Sequence, residues 1–382
     1  MYYSIRFSPE VYIDLNKSLG FKENVLKQKQ NAQNKGILNY TLFVEAKKNL
    51  ALKKVREEPA GFVVKELKLN NNFTNIHLIV LESFYDPNMF SNLSFSTNPL
   101  YSEFKRKFSF TENYSISPVY AGGTPQAEFE LLTGIPAYQE FNTVEFNLFT
   151  GKQVDGFVNN LNKAGYHTMV MNAVSPEIFN SYNAYKSIGF EQQYYLYGKE
   201  YSNIEKRYNL IFDGDLLKRN LQVLDSIMKV KSSVPIFNYV LGIYGHTPFP
   251  MDTVRHPKII DIKYNNERIS NYESNSMNQI YYRTKALNGY IESLSVLDPN
   301  SLIVIIGDHM PNMSNIKKYG LSNKYKIKFY IIRNGKPINI KKTIYHYELP
   351  GLIINLISGE ELFFREEDLK NMYNRMFYQA LN

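Results

Sequence analysis

Residues 76–81, Ile-His-Leu-Ile-Val-Leu, constrain this chain more than any other stretch. The run is short, rich in β-branched residues and almost continuously apolar, and it stops abruptly at Glu82-Ser83. A strand at the surface of a sheet alternates apolar with polar residues, whereas a strand covered on both faces reads like this one. Further runs of the kind occur at Thr168–Met171, Ile236–Leu241, Leu302–Ile306 and Lys328–Ile332. Helical patterns fall between them, at Val154–Ala164 and Met277–Leu297. Strands alternating with helices predict an α/β fold with a central, mostly parallel sheet flanked by helices, and a smaller C-terminal subregion. In such sheets ligands bind at the carboxyl ends of the strands.

The rest of the chain divides around this body. Residues 1–70 read as a polar, helical segment, with apolar residues at helical spacing from Gly36 to Lys54. A break at 71–74 precedes the first strand, residues 71–360 form the main domain, and 361–382 form a helical tail. Two late helices are expected, Tyr347–Ser358 and Glu366–Ala380. No run approaches the length of a membrane span. The start of the chain has no signal-peptide pattern.

Composition removes several chemistries. With no cysteine there is no disulfide, no thiolate zinc site and no cysteine nucleophile. A net charge of +8 suits anionic partners, but the lysines are scattered. The denser groups, Lys47-Lys48 with Lys53-Lys54 and Lys317-Lys318 to Lys328, read as solvated faces. No nucleic-acid motif accompanies them, and nucleic acid is not an expected partner. With 31 Tyr and 25 Phe, individual aromatic positions read as packing.

Chemistry-bearing residues collect just beyond the buried runs. Glu82 ends the first, and Asp308 and His309 follow the run Leu302–Ile306 after Gly307. Ionisable groups there are costly unless paired or bound to a metal. A salt bridge for Glu82 and a helix cap for Asp308 are the plain alternatives; two carboxylates and a His at equivalent places favour a metal. Gly122-Gly123-Thr124-Pro125 precedes an apolar helical pattern. Thr124 reads as the helix N-cap with Pro125 at the first helical position. The paired glycines also allow close approach of a ligand, and the helix N-terminus suits an anion. A Thr hydroxyl there is a candidate nucleophile. His246, in the Gly- and Pro-punctuated loop after Ile236–Leu241, reads equally as a substrate binder or general acid and as an exposed loop residue. Of the other histidines, His77 and His167 read as packed, His256 as a surface residue, and His346 stays open.

Taken in order, these pieces resemble the lipoteichoic acid synthase and phosphoglycerol transferase branch of the alkaline phosphatase and sulfatase superfamily. They are Leu81-Glu82-Ser83, Gly122 to Phe129, Tyr185-Lys186-Ser187-Ile188-Gly189-Phe190, Tyr244-Gly245-His246-Thr247-Pro248-Phe249, Ile306-Gly307-Asp308-His309 and Tyr347 to Leu352. The resemblance implies that Glu82, Thr124, Asp308 and His309 hold one divalent metal ion, Mn²⁺ first, with Mg²⁺ or Zn²⁺ as alternatives. Thr124 would attack a phosphodiester and carry the phosphate ester that forms. His246, Gly123 and Asn172 would contact the substrate. The implied donor is a phospholipid or other phosphodiester and the acceptor a glycan or lipid. The implied place is a membrane surface on the extracytoplasmic side of the bacterial cytoplasmic membrane. A phosphodiesterase or phosphonate hydrolase with the same core, and a non-catalytic binding module, are the rival readings. In the lipoteichoic acid branch a His and an Arg contact glycerol phosphate; here Asn172 and Ser181 stand in those places, and neither offers a guanidinium fork. Sulfatases use a Cys or Ser that becomes formylglycine, followed by Pro and Arg; Thr124-Pro125-Gln126-Ala127 lacks that pattern, so sulfate-ester hydrolysis is not expected.

Overall fold

A strand whose every side chain is apolar or hydrogen-bonded must be covered on both faces, and β1, Ile76–Leu81, is buried along its whole length. The computed structural model describes residues 8–18, 33, 36–57, 74–138, 144–148, 150–197, 210–359, 369, 370 and 373. Its central sheet continues in chain order with β2 (His167–Asn172), β3 (Gln192–Tyr195), β4 (Ile236–Gly242), β5 (Leu302–Gly307), β6 (Tyr330–Arg333) and β7 (Lys336–Ile338). The spatial order is β7-β6-β5-β1-β4-β2-β3. The five strands from β5 to β3 run parallel, and β6 and β7 add an antiparallel edge.

The register of the centre decides where the chemistry falls. Leu81 pairs with Gly242 of β4 on one side and with Gly307 of β5 on the other. All three strands therefore end in one row, and Glu82, the loop after β4 and Asp308 leave the sheet side by side. The row closes tightly: a Cβ on Gly307 would lie 2.0 Å from the Phe84 carbonyl oxygen. Below the row, the aliphatic side chains of β1 join the main core. Each contributes about 1.5–3 kcal/mol of apolar burial, an upper estimate because the unfolded chain is not fully extended.

Two small sheets lie beside the large one. One joins Tyr114–Ile116 to Lys326–Lys328 and Thr343–Tyr345; the other joins Leu93–Phe95, Ile262–Tyr264 and Glu267–Arg268. The run expected as one strand, 328–332, is thus divided between two sheets. Lys326-Ile327-Lys328 alternates in exposure and serves a small sheet covered on one side, whereas Tyr330-Ile331-Ile332 is buried and serves the large one. The helix expected from Met277 starts earlier, at Asn271, because Ser270 caps it by accepting from the Glu273 N–H at 3.2 Å. In the N-terminal segment, helices Pro9–Ser18 and Ile37–Glu57 share a small cluster of Tyr12, Ile13, Phe43 and Ala46. The expected break at 71–73 and, apart from 369, 370 and 373, the expected helix 366–380 lie outside the described residues. No helix among the described residues is long and apolar enough to cross a membrane.

Two glycine substitutions test this packing. Gly307→Ala forces the Phe84 backbone aside and is expected to cost about 1–3 kcal/mol. Gly289→Ala, in the middle of the helix Asn271–Leu297 with nothing within 4 Å of the added carbon, is expected to gain about 0.5–1 kcal/mol. Urea unfolding measures both.

Candidate metal and phosphate site

Glu82 emerges from β1 with its backbone already held. The buried Arg283 guanidinium donates from Nη2 to the Glu82 carbonyl at 2.9 Å and from Nε to Asp213 Oδ2 at 2.6 Å. Gly242 and Gly245 make room for this arrangement. A Cβ on Gly242 would meet Asp213 Oδ1 at 2.6 Å, and one on Gly245 would meet the Glu82 carbonyl oxygen at 2.1 Å. A buried ion pair adds little net stability but specifies geometry strongly, because breaking it strands a charge. The Glu82 side chain then receives two hydroxyl donors, Ser83 Oγ on Oε1 at 2.9 Å and Thr124 Oγ1 on Oε2 at 2.9 Å.

Thr124 opens the ten-residue helix Thr124–Thr133. The cap itself is Gly123, at φ 90°, and no side chain bonds the first turn. This corrects the reading of Thr124 as the N-cap: its hydroxyl caps nothing and is directed at Glu82. The left-handed Gly123 turn suits glycine, whose Cβ position is also crowded by Val119 Cγ1 at 3.0 Å.

Asp308 and His309 follow β5. Asp308 Oδ1 accepts the backbone N–H of Ser83 and of His309, each at 2.7 Å. Asp308 is therefore no helix cap; it ties the ends of β1 and β5 together. His309 Nδ1 donates to the Met310 carbonyl at 3.0 Å, which leaves a lone pair on Nε2 in the neutral ring. Nε2 stands 3.3 Å from Asp308 Oδ2 and 3.4 Å from Glu82 Oε1. From behind, His346 Nδ1 accepts from Ser115 Oγ at 2.7 Å, and its Nε2–H points at the Gly307 and Asp308 carbonyls at 3.2 and 3.1 Å. Burial holds the His346 ring neutral, with its pKa pushed down to about 4.

Whether these residues suit a cation is answered by the atoms left over. Asp308 Oδ2 and His309 Nε2 are buried and have no hydrogen-bond partner. Ligand atoms of Glu82, Asp308 and His309 all lie within 4.8 Å of one another, and no other such group of His, Asp and Glu occurs among the described residues. Asp308 Oδ2 and His309 Nε2 face each other at 3.3 Å beside Glu82, and two carboxylates, one imidazole and one hydroxyl form a donor set that Mn²⁺, Mg²⁺ or Zn²⁺ accepts. The electrostatics agree. Burial, then the nearby Glu82, raises Asp308 to about 6. Burial pulls His309 down, but Asp308 and Glu82 outweigh it and raise the ring's pKa.

Glu128, one turn beyond Thr124, was not singled out from the sequence. It is buried and accepts the hydroxyls of Tyr185 at 2.6 Å and Tyr239 at 2.8 Å. Burial raises it to about 7. Asn172 belongs to the same chain of bonds: Nδ2 donates to Tyr185 Oη at 3.0 Å and Oδ1 accepts from the Val174 N–H at 3.0 Å. Asn172, expected as a substrate contact, is buried with both ends of its amide hydrogen-bonded inside the protein. His246 is exposed on the loop after β4, donates from Nδ1 to the Thr247 carbonyl at 2.7 Å, and makes no hydrogen bond to Glu82, Thr124, Asp308 or His309. His77 and His167 are buried as expected. His256, expected at the surface, is half-buried with its ring 4.2 Å from that of Phe212.

With the geometry established, comparisons place the chain among known proteins. The sulfatase family profile matches residues 74–346. Among solved structures, the chain is similar to the lipoteichoic acid synthase LtaP of Listeria monocytogenes, with 18% identity, TM-score 0.63 and coverage of 83% of this chain and 80% of that one. It is also similar to the phosphoglycerol transferase GacH of Streptococcus pyogenes, solved with sn-glycerol-1-phosphate, at 18% identity and TM-score 0.61, covering 88% and 91%. A third is the C-terminal periplasmic domain of EptC of Escherichia coli in complex with Zn, at 12% identity and TM-score 0.53, covering 76% and 84%. No curated protein sequence matches the chain.

The raised carboxyls generate a pH prediction. Asp308, Glu128 and Glu130 bind their protons more tightly folded than unfolded, with folded values of about 6, 7 and 8. Their contribution is fully present below the unfolded carboxyl range and lost as pH rises through those values. His346, held neutral with its value at about 4, adds stability as pH rises to the free imidazole range. The three carboxyl shifts together outweigh it, so the metal-free protein is expected to lose stability between about pH 4 and about pH 8, most steeply above about pH 6.5. Added Mn²⁺ is expected to restore the part belonging to Asp308 above its folded value. Urea midpoints in chelator and in Mn²⁺ check this; a flat profile in chelator contradicts it.

Proposed function

The chain belongs to the sulfatase family, and from that premise we propose that it is a metal-dependent phosphotransferase of the bacterial cell envelope. It moves a phospho-alcohol of the phosphoglycerol or phosphoethanolamine type from a lipid donor to a glycan or lipid acceptor. The observation that carries this reading is the pair of unpartnered ligand atoms, Asp308 Oδ2 and His309 Nε2, beside a Thr124 hydroxyl already bonded to Glu82. The fold shared with LtaP and GacH, named as a lipoteichoic acid synthase and a phosphoglycerol transferase, supports it. Sulfate-ester hydrolysis is disfavoured, because no cysteine and no Arg accompany Thr124-Pro125.

Glu82, Asp308 and His309 would hold the divalent ion, with Thr124 as fourth ligand. Once bound, it supplies the positive charge that lowers the hydroxyl pKa and offsets charge on the phosphoryl oxygens. Everything else falls to the chain. Glu82 receives the Thr124 hydroxyl hydrogen and so orients Oγ1. Oγ1 forms its bond to phosphorus as the diacylglycerol oxygen leaves, and the helix N-terminus at Thr124 favours the anionic ester that results. An acceptor hydroxyl then attacks that ester and gives its proton to His246, which has lost one to the leaving alcohol, while the departing Thr124 oxygen takes its proton back from Glu82. His246, on its exposed loop, is the candidate proton donor to the leaving alcohol. Mn²⁺ is the first choice of ion, and the Zn-bound E. coli structure keeps Zn²⁺ in view. An extracytoplasmic location is supported by the likeness to a domain described as periplasmic.

Release of diacylglycerol from phosphatidylglycerol and phosphatidylethanolamine, with and without added glycan, tests the reading. Turnover that depends on the acceptor is expected. Thr124→Ala is expected to lower it by about a thousandfold or more while retaining bound metal. Steady release in water alone would identify a hydrolase instead.

A further inference from the structure

The sheet of Tyr114–Ile116, Lys326–Lys328 and Thr343–Tyr345 has two unlike faces. Ser115, Ile327 and Ile344 are buried, and Ser115 bonds His346 beneath Asp308. The other face is half-buried to exposed and carries tyrosines and lysines, of which Lys328 is paired with Asp86. Lys326 Nζ lies 3.9 Å from the Tyr114 ring centroid. Next to it, Lys324 Nζ lies 4.4 Å from Tyr120 and 5.3 Å from Tyr325. Tyr345 is 51% exposed and lies parallel to Tyr347, at 9° and 5.3 Å.

We propose that this face holds an anionic glycan strand, presenting the acceptor to Thr124; the inference rests on the phosphotransferase reading and specifies its acceptor. Charge is the first argument. Lys324 and Lys326 have no carboxylate partner among the described residues. Of the nearby acids, Asp86 is paired with Lys328 at 3.3 Å and Glu348 accepts the Tyr345 N–H at 2.6 Å, leaving Glu112. Ammonium groups over ring faces leave adjacent sites for an anionic substituent and for the apolar face of a sugar ring.

Continuity adds to charge, because the face is joined to the segments that carry Glu82, Thr124, Asp308 and His346. Tyr120 lies four residues before Thr124, and the neighbouring Ala121 N–H bonds the Met310 carbonyl at 3.1 Å. Lys328 reaches Asp86, just after Glu82, and Tyr347 follows His346. A strand lying here runs towards Thr124 from the side of the small sheet. The exposed rings are tyrosines with hydroxyl rims, which suits a hydrated polysaccharide better than acyl chains. The lysine group read from sequence as a solvated face thereby gains a partner.

Calorimetric titration with dextran sulfate and with neutral dextran, using the protein and its Thr124→Ala variant, tests the proposal. Dextran sulfate is expected to bind the intact surface more tightly than dextran. The Lys324→Ala/Lys326→Ala pair is expected to weaken that binding by about tenfold. Tyr345→Ala is expected to weaken it also, without changing its salt dependence. Lys218→Ala/Lys229→Ala, which removes the same charge elsewhere, is expected to have little effect. Equal losses in the two lysine pairs would reduce the effect to net charge and overturn the proposal. Loss of binding to phosphatidylglycerol vesicles, with dextran sulfate unaffected, would overturn it in favour of a membrane surface. Turnover of a small soluble phosphodiester with glycerol supplied as a neutral acceptor, expected to be unchanged by these surface variants, reports separately on the catalytic reading. Its absence in the unmodified protein, with dextran sulfate binding still dependent on Lys324 and Lys326, would sink the phosphotransferase and leave the glycan surface.

Discussion

Leu81 lies in register with Gly242 on one side and Gly307 on the other, and the candidate site depends on that coincidence. Strands that ended one residue apart would send Glu82 and Asp308 to different depths and opposite faces, since side chains alternate along a strand. Because the ends coincide, Asp308 Oδ1 reaches the Ser83 N–H, and the two loops are locked by one carboxylate. The glycines at and beyond this row follow from the same constraint. Gly307 and Gly245 sit where neighbouring carbonyls approach too closely for any side chain.

The second consequence is electrostatic. Glu82, Asp308 and His309 form one buried group, and buried Glu128 lies near enough to feel the charge of both carboxylates. In low dielectric such a group is unfavourable as charged species, which is why Asp308 and Glu128 hold their protons to unusually high pH. A divalent cation held there would relieve this, and Asp308 Oδ2 and His309 Nε2, without hydrogen-bond partners, mark the place. Arg283 and Asp213 stand apart from that balance. Arg283, on the helix Asn271–Leu297, holds the Glu82 carbonyl, and Asp213, at the start of the helix Asp213–Val230, holds Arg283, with neither hydrogen-bonded to the Glu82 carboxylate.

Much of this was legible in the sequence. The buried strands were marked by unbroken β-branched runs, and the ionisable residues that end them gave Glu82, Asp308 and His309. What sequence could not give was direction. Thr124 has the residue type and position of a helix cap, and only the left-handed turn at Gly123 frees its hydroxyl. Asn172 occupies a place that suggested substrate, yet its amide is engaged by Tyr185 and Val174. His346 stays open in the sequence, and Arg283 and Glu128 do not stand out there, for one reason. Each lies in or at the start of a helix, where a buried polar residue leaves no periodic signal. The strand 328–332 failed because two short strands of different sheets abut at Phe329 with no turn residue between them.

The account stands or falls on Thr124. Mn²⁺-loaded protein, incubated with a mixed phospholipid extract without acceptor, acid-quenched at short times and examined by intact-mass spectrometry and peptide mapping, tests it directly. A phosphoglycerol or phosphoethanolamine adduct on Thr124 is the result predicted, and its mass names the transferred group. Diacylglycerol release with Thr124 unmodified at every quench time, or an adduct on another residue, would contradict the account.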